Sequence, residues 1–258
     1  MRLVPLVSAA SLGFVVVSSA AGQITDPLVT DRPSFSASVV TVPPGRFQLE
    51  SGYAFSREEA TVGSDVGEIL ARIGLISRWE LRLAINSYSF SKDTSGTQSG
   101  FEDVYVGTKI EITHASSSFN LLRPGLALLA GTSIPTGNRG FSGEGVWPEL
   151  GLILGWNLPR SFSVLSNLIV ESVLIDGERF GQFSGSLLVN WAFAERWGVY
   201  LEYFGFASEG ARGLEGSFLN SGFTLLASDD LQFDARAGIG PADPDVNYFI
   251  GFGFALRI

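Results

Sequence analysis

The chain has 258 residues with no cysteine, a single histidine, and only 17 Lys and Arg against 26 Asp and Glu. Without cysteine there is no disulfide framework and no thiolate for a metal. A lone His114 cannot supply the imidazole clusters that zinc sites use. A formal charge of −9 argues against nucleic acid as a partner, because phosphate binding needs a basic face. Long apolar runs are scarce too. After residue 22 no stretch is apolar over the roughly 20 residues that a spanning helix needs. A mature chain of this kind can enter a membrane only as a closed β-barrel, whose strands pair every backbone N–H and C=O with a neighbour.

What is present starts with a leader. Arg2, the apolar stretch from Leu3 to Val17, and the small residues Ser18, Ser19, Ala20, Ala21 and Gly22 have the form of a secretory signal, residues 1–22. Cleavage is expected near Ala21 or Gly22, so the mature chain starts near Gln23 and the charge moves from −9 to −10. The alternative is an anchoring helix. It is disfavoured by the short apolar core, interrupted by Pro5, Ser8, Ser11 and Gly13. Residues 23–44, with Pro27, Pro33, Pro43 and Pro44, read as an irregular periplasmic lead-in, with a fold back toward the lumen as one course open to it.

From residue 45 to 258 the pattern has period two, which marks strands with two unlike faces. At the C-terminus, Tyr248, Ile250, Phe252, Phe254, Leu256 and Ile258 share one face, and Phe249, Gly251, Gly253, Ala255 and Arg257 the other. Likewise Trp79, Leu81, Leu83 and Ile85 oppose Glu80, Arg82 and Asn86. A membrane barrel turns the bulky set to lipid and the polar set to the lumen. Twelve strands are predicted, at 46–56, 66–77, 79–91, 101–113, 119–134, 146–158, 161–174, 179–193, 197–207, 214–228, 231–240 and 247–258. Each is about the 9–11 residues or slightly more that a tilted transmembrane strand requires. The expected fold is therefore an all-β, antiparallel, up-and-down transmembrane barrel of about 12 strands, with 10 or 14 as alternatives.

The connections alternate in length. Ser77-Arg78, Pro159-Arg160, Glu195-Arg196 and Asp229-Asp230 are tight, with His114–Ser118 somewhat longer. Arg57–Asp65, Lys92–Gly100, Pro135–Gly145, Ser208–Gly213 and Pro241–Val246 are longer, and Asp176–Glu178 breaks the rule. Short turns at one end and longer loops at the other are a barrel habit, with the longer set expected outward. Trp79, Trp156, Trp191 and Trp197 lie near the tight turns, where amphipathic rings favour the lipid–water boundary.

Several motifs then carry a resemblance. They are Thr30-Asp31-Arg32-Pro33-Ser34-Phe35, Val42-Pro43-Pro44-Gly45, the stretch Ser228–Ala235, and Tyr248-Phe249-Ile250-Gly251-Phe252-Gly253-Phe254. With these the chain resembles outer-membrane proteins labelled "transporter" or "putative MetA-pathway of phenol degradation". The resemblance implies a barrel that passes small, aromatic or hydrophobic compounds across the outer membrane. One departure is Ile258, where such barrels commonly end in an aromatic residue. Tyr248, Phe252 and Phe254 are left to carry the signal to the assembly machinery.

Alternation places Glu50, Glu68, Arg72, Glu80, Arg82, Lys109, Glu111, Arg123, Glu149, Glu171, Glu202, Asp234, Arg236 and Arg257 toward the lumen. A Lys or Arg facing lipid at mid-depth costs about 2–4 kcal/mol, which supports that assignment. These charges either line a solute path or pair off and fill a narrow barrel. Partners follow from the fold: outer-membrane lipid, the assembly machinery and a small solute. An enzyme is not expected. His114 sits in a serine-rich turn, and Asp243 and Asp245 between Pro241 and Pro244 read as turn formers. The glycines at 137, 140, 143 and 145 lack the Lys-Ser/Thr and helix of a phosphate cradle. No cofactor is expected.

Overall fold

The computed structural model describes residues 26–58, 60–209, 214–240 and 247–258. The signal sequence assigned to 1–22 and the turn at 241–246 lie outside the described residues. Among the described residues all regular structure is β. The strands are β1 (Phe47–Glu58), β2 (Thr61–Ile76), β3 (Trp79–Ile85), β4 (Tyr88–Asp93), β5 (Gly96–Phe101), β6 (Val104–Thr113) and β7 (Gly125–Ile134). They continue as β8 (Trp147–Leu158), β9 (Phe162–Ile175), β10 (Glu178–Ala194), β11 (Trp197–Ser208), β12 (Gly216–Ser228), β13 (Leu231–Ile239) and β14 (Tyr248–Arg257).

All pairings are antiparallel between neighbours, and β1 bonds both β2 and β14, which closes the sheet into a barrel. The ring has twelve staves, because two staves are each broken once. The lower half of β2 pairs with β3 and its upper half with β4. Likewise β5 pairs with β4, while β6 continues the same stave between β3 and β7. The two breaks lie side by side and satisfy each other. Glu102 N donates to Ser87 O, and Asn86 Nδ2 donates to Asp103 O. This is the transmembrane up-and-down barrel expected from the alternation, with the two extra strands arising from these breaks.

The tight turns fall where expected, at 77–78, 159–161, 195–196 and 229–230. Arg78 and Arg160 adopt φ of 66° and 60° there, the left-handed conformation that close hairpins require. Three boundaries differ. The stretch Arg57–Asp65 is not an open loop: β1 runs to Glu58 and β2 starts at Thr61. Lys92–Gly100 is likewise mostly strand, turned at Thr94-Ser95, where Asp93 Oδ1 accepts from Ser95 N and Gly96 N. Polar residues on the water-exposed end of a hairpin do not alternate in hydrophobicity, so their strands are silent to that signal. Conversely, the strand expected from 119 starts at Gly125, and residues 119–124 belong to the turn.

The faces are sorted as a membrane requires. Leu150, Leu201 and Phe252, on the outer wall, are 64%, 60% and 62% exposed. Glu50, Arg72, Glu80, Lys109 and Glu202 are wholly buried inside. A soluble barrel would show the reverse. The outward Leu168 sits mid-strand on β9 and is 57% exposed. Leu168→Arg is expected to cost about 2–4 kcal/mol of stability, measured by denaturant unfolding from lipid vesicles. An unchanged midpoint would contradict the lipid-facing assignment.

Candidate functional site: the barrel lumen

Residues 26–44 lie inside the barrel. The segment enters beside the tight turn at 229–230, where Leu28 N donates to Asp229 O and Arg257 Nη2 donates to Asp26 O. It then meets β1, and the backbone N–H groups of Asp31 and Arg32 donate to the Glu50 carboxylate. Next it crosses the lumen. On the far wall Phe35 N and Ser36 N donate to Glu202 of β11, at 2.9 and 2.7 Å. Ala37 exchanges two hydrogen bonds with Asn167 of β9. The return leg gives the Ser38 carbonyl to Lys109 Nζ and Val42 N to Glu80. Glycines on the inner wall make the space. A Cβ at Gly52 or Gly253 would strike the Arg32 guanidinium, and one at Gly74 would strike the Pro43 carbonyl.

Ten of the lumen charges form two neutral groups, each completed by the segment. In the first, Arg72, Arg82 and Lys109 face Asp31, Glu50 and Glu80. Arg72 bonds Glu80 at 2.9 Å and Glu50 at 3.0 Å, and Arg82 bonds Asp31 at 2.6 Å. Lys109 Nζ is 3.5 Å from both Asp31 and Glu80. In the second, Arg32 and Arg236 face Glu68 and Asp234, with both arginines 2.5 Å from Glu68. Glu68 reaches them because a bulge interrupts the β1–β2 ladder at Gly67-Glu68, with φ of 115° and 40°, and re-aims its side chain. Burial raises the Asp31 pKa, but the cations of Arg72, Lys109 and Arg82 overcome that and hold it well below the usual carboxylate range.

The remaining expected residues divide. Arg257 pairs with Asp230 at 2.6 Å near the tight turns. Glu111 is buried and meets the His114 imidazole at the β6–β7 turn. His114 thus contacts a carboxylate rather than a serine hydroxyl. Glu149 accepts from Tyr105 Oη at 2.6 Å and faces Glu171 directly across the β8–β9 ladder. Arg123 is a correction. It is exposed in the turn before β7, not in the lumen, because the chain there is not a strand and alternation assigns no face.

Alternation by charge passed over the uncharged residues that matter most to the segment. Gln48, Asn167, Ser186 and Asn220 are all buried on inner faces. A set of rings shares those faces: Phe204, which is buried, and the half-buried Phe206, Phe218 and Phe249 gather inside the barrel around Phe35 of the segment. Their parity with Glu202, Asn220 and Gly251 was the available signal. The segment leaves open space. A cavity of about 390 Å³ lies between it and the inner faces of β8–β12 at the tight-turn end, beside Val39, Leu165, Leu188 and Asn190. On the loop side are cavities of about 500 Å³, beside Arg82, Tyr105 and Glu149, and about 250 Å³, beside Phe35, Phe204 and Phe249.

The family described as "Putative MetA-pathway of phenol degradation" matches residues 30–258. The chain belongs to this family. The match opens at Thr30, so it takes in Asp31 and Arg32 of the lumen segment as well as the barrel. No curated protein matches the chain. Among solved structures, an outer membrane channel from Pseudomonas putida F1 aligns with TM-score 0.60 and 11% identity, covering 88% of this chain and all of that one. The NanC porin aligns with TM-score 0.54 and 9% identity, covering 82% and 100%. The KdgM porin aligns with TM-score 0.52 and 9% identity, covering 81% and 98%. At these identities the likeness is one of fold: family member and neighbours share an outer-membrane barrel architecture.

Arg72→Ala leaves Asp31, Glu50 and Glu80 with two cations for three buried carboxylates. The loss is expected to reach about 3–5 kcal/mol, read as a lowered unfolding midpoint in detergent. A second prediction concerns Asp103, between β5 and β6. Burial raises its pKa, but the Ser142 hydroxyl and the N–H groups of Gly143, Gly137 and Thr136 outweigh it, so the net shift is down. A depressed carboxylate contributes its stability above its ordinary value of 3.8 and loses it as pH falls through the folded value. Hydrogen exchange in the 135–145 loop should therefore be slow at pH 7, relative to the intrinsic rate, and lose protection below about pH 4. Asp103→Asn should show the unprotected behaviour at both.

Proposed function

We propose that the protein is an outer-membrane channel giving small solutes passive passage through a mixed-charge lumen. The signal at 1–22 is removed on export, residues 23–44 remain with the barrel, and 45–258 span the membrane. The observation that carries the reading is the sorting of the wall. Bulky residues face outward, charges face inward, and unfilled space remains on both sides of the crossing segment. Arg82, Glu149, Glu171 and Arg236 are the wall charges proposed to meet a solute, while Glu202 is occupied by the crossing segment. Outer-membrane lipid is the surrounding partner, and β14, with Tyr248, Phe252 and Phe254 at its alternate positions, is proposed as the strand presented to the assembly machinery. The family description supports small aromatic or hydrophobic compounds as the solute. No catalytic role is proposed.

A second reading has its own support. Residues 26–44 are bonded to β1, β3, β6, β9, β11 and β13, which favours a barrel closed in its resting state. Planar-bilayer recording and vesicle swelling separate the two. The full chain is expected to conduct weakly, and a chain lacking residues 31–41 to conduct several-fold more. A full chain silent with every solute, beside a conducting deletion, would establish the closed reading. If both are silent while the deletion keeps the heat-resistant barrel form on gels, transport is excluded.

A further inference from the structure

We propose that the turn between β6 and β7 holds a binding site for one anionic phospholipid, with Arg123 on its phosphate and Leu122 and Leu126 along its acyl chain. The site goes beyond the channel reading and is independent of conductance. It needs only the barrel's seat in a membrane.

The shape of the turn is the first observation. Asn120 organises its tip: the side-chain Oδ1 accepts from Leu122 N, and the carbonyl accepts from Arg123 N. Ala115 borders the lumen cavity at the tight-turn end, and Asn157 Nδ2 donates to Ser116 O, so the turn starts inside the rim. Trp156 shares the lipid-facing parity of Leu150, Leu152 and Leu154 on β8. Its Nε1 donates to Leu121 O at 3.2 Å, which draws the tip out over the wall. Phe119, Leu121 and Leu122 are left 53%, 66% and 90% exposed. Three bulky apolar residues on one turn are a liability in water. Beside Trp156, and above the outward Ile112 and Leu128, they instead extend the face that hydrocarbon covers.

The charge beside those residues is the second observation. Against the tip lies an open cavity of about 480 Å³, bordered by Leu122 and Leu126 on its apolar part and by Arg123, His114 and Ser116 on its polar part. A phospholipid divides in the same way where its headgroup meets its chains. The Arg123 side chain has no hydrogen bond or ion pair among the described residues. The groups around it are committed: Thr113 Oγ1 donates to Pro124 O, and His114 meets Glu111, which is buried in the lumen. The hairpins at 77–78, 114–124 and 159–161 follow one another around the rim, and they bring Arg78, Arg123 and Arg160 with no acid among them. Arg78 Nη1 lies 3.5 Å from Ile112 O, next to Thr113. The remaining two tight turns carry Glu195, Asp229 and Asp230. A guanidinium grips a phosphate through paired N–H donors. A sector of arginines without acids favours a headgroup of net negative charge over a zwitterionic one.

The test is native mass spectrometry of the purified full chain from neutral detergent, with phosphatidylglycerol or phosphatidylcholine of the same chain length. One phosphatidylglycerol is expected to stay bound, about fivefold more often than phosphatidylcholine, the preference that one arginine beside an anionic lipid supplies. Arg123→Gln should remove that preference, and Leu122→Ser should lower retention of both lipids. Arg196→Gln, on the mixed-charge turn at 195–196, should change neither. Each variant is first checked for the heat-resistant compact form on gels, and the preference of the unaltered chain is a test in its own right. Equal retention of the two lipids, an unchanged preference in Arg123→Gln, or an equal loss in Arg196→Gln overturns the site. Displacement of the lipid by millimolar inorganic phosphate also overturns it, by assigning the pocket to a free anion. A protein that conducts yet retains both lipids equally sinks the site and leaves the channel reading intact. One that keeps the preference but never conducts sinks the channel reading and keeps the site.

Discussion

Charged side chains on these strands can go to only one side of the wall, and once buried there they need an opposite charge or a set of hydrogen-bond donors. Lipid on the outside makes an outward Arg or Lys expensive, so Arg72, Arg82 and Lys109 are driven into the lumen. The lumen is narrow enough that all three are buried, and a buried cation without a partner is costlier still. Glu50 and Glu80 answer two of the three charges, and Asp31 answers the last. The wall by itself is therefore one negative charge short. The same reasoning applies to the second group, where Arg32 balances Glu68 and Asp234 beside Arg236.

The segment at 26–44 is accordingly part of the folded interior and not an appendage to it. To the two ion-pair groups it brings one charge of each sign, Asp31 and Arg32, and it adds a row of backbone donors for Glu50 and Glu202 and a small apolar patch. Ala37 and Val39 pack on Ala127, Leu129 and Ile153 of β7 and β8. That patch and the rings gathered around Phe35 are the apolar parts of an interior otherwise dominated by polar contacts, as expected when the hydrophobic face of the sheet is turned to lipid. The inner glycines complete the fit by letting Arg32 and Pro43 approach the wall.

Functionally, the crossing segment divides the lumen into spaces of different character. Toward the tight turns the open volume is bounded by Val39, Leu165 and Leu188 with a few amides and hydroxyls. Toward the loops it is acidic on the β8–β9 side and aromatic on the β11–β14 side. The strand breaks near Asn86 and Asp103 and the bulge at Gly67-Glu68 all lie on this loop side, where irregular backbone can be satisfied by side chains and water. Further register shifts, between Gly74 and Ile76, Glu111 and Thr113, Trp191 and Ala194, and Leu226 and Ser228, adjoin the tight turns at the other end.

Much of this was legible in the amino-acid order. Alternation along segments such as Trp79–Asn86 and Tyr248–Ile258 determined the strands, their faces and the closed antiparallel ring, because a strand's two faces meet two solvents and the chain must be written for both. Turn chemistry at Asp229-Asp230 and Glu195-Arg196 set the ends. Alternation is a local signal, however, and it failed wherever the local solvent was uniform. The polar hairpins at 57–65 and 92–100 hid their strands, and Arg123 was given a face it does not have. The course of residues 26–44, the bond from Ser36 to Glu202 166 positions later, and the union of Phe35 with rings from β11, β12 and β14 were decided only by the tertiary structure. Each depends on complementarity between surfaces that exist only after the barrel has closed.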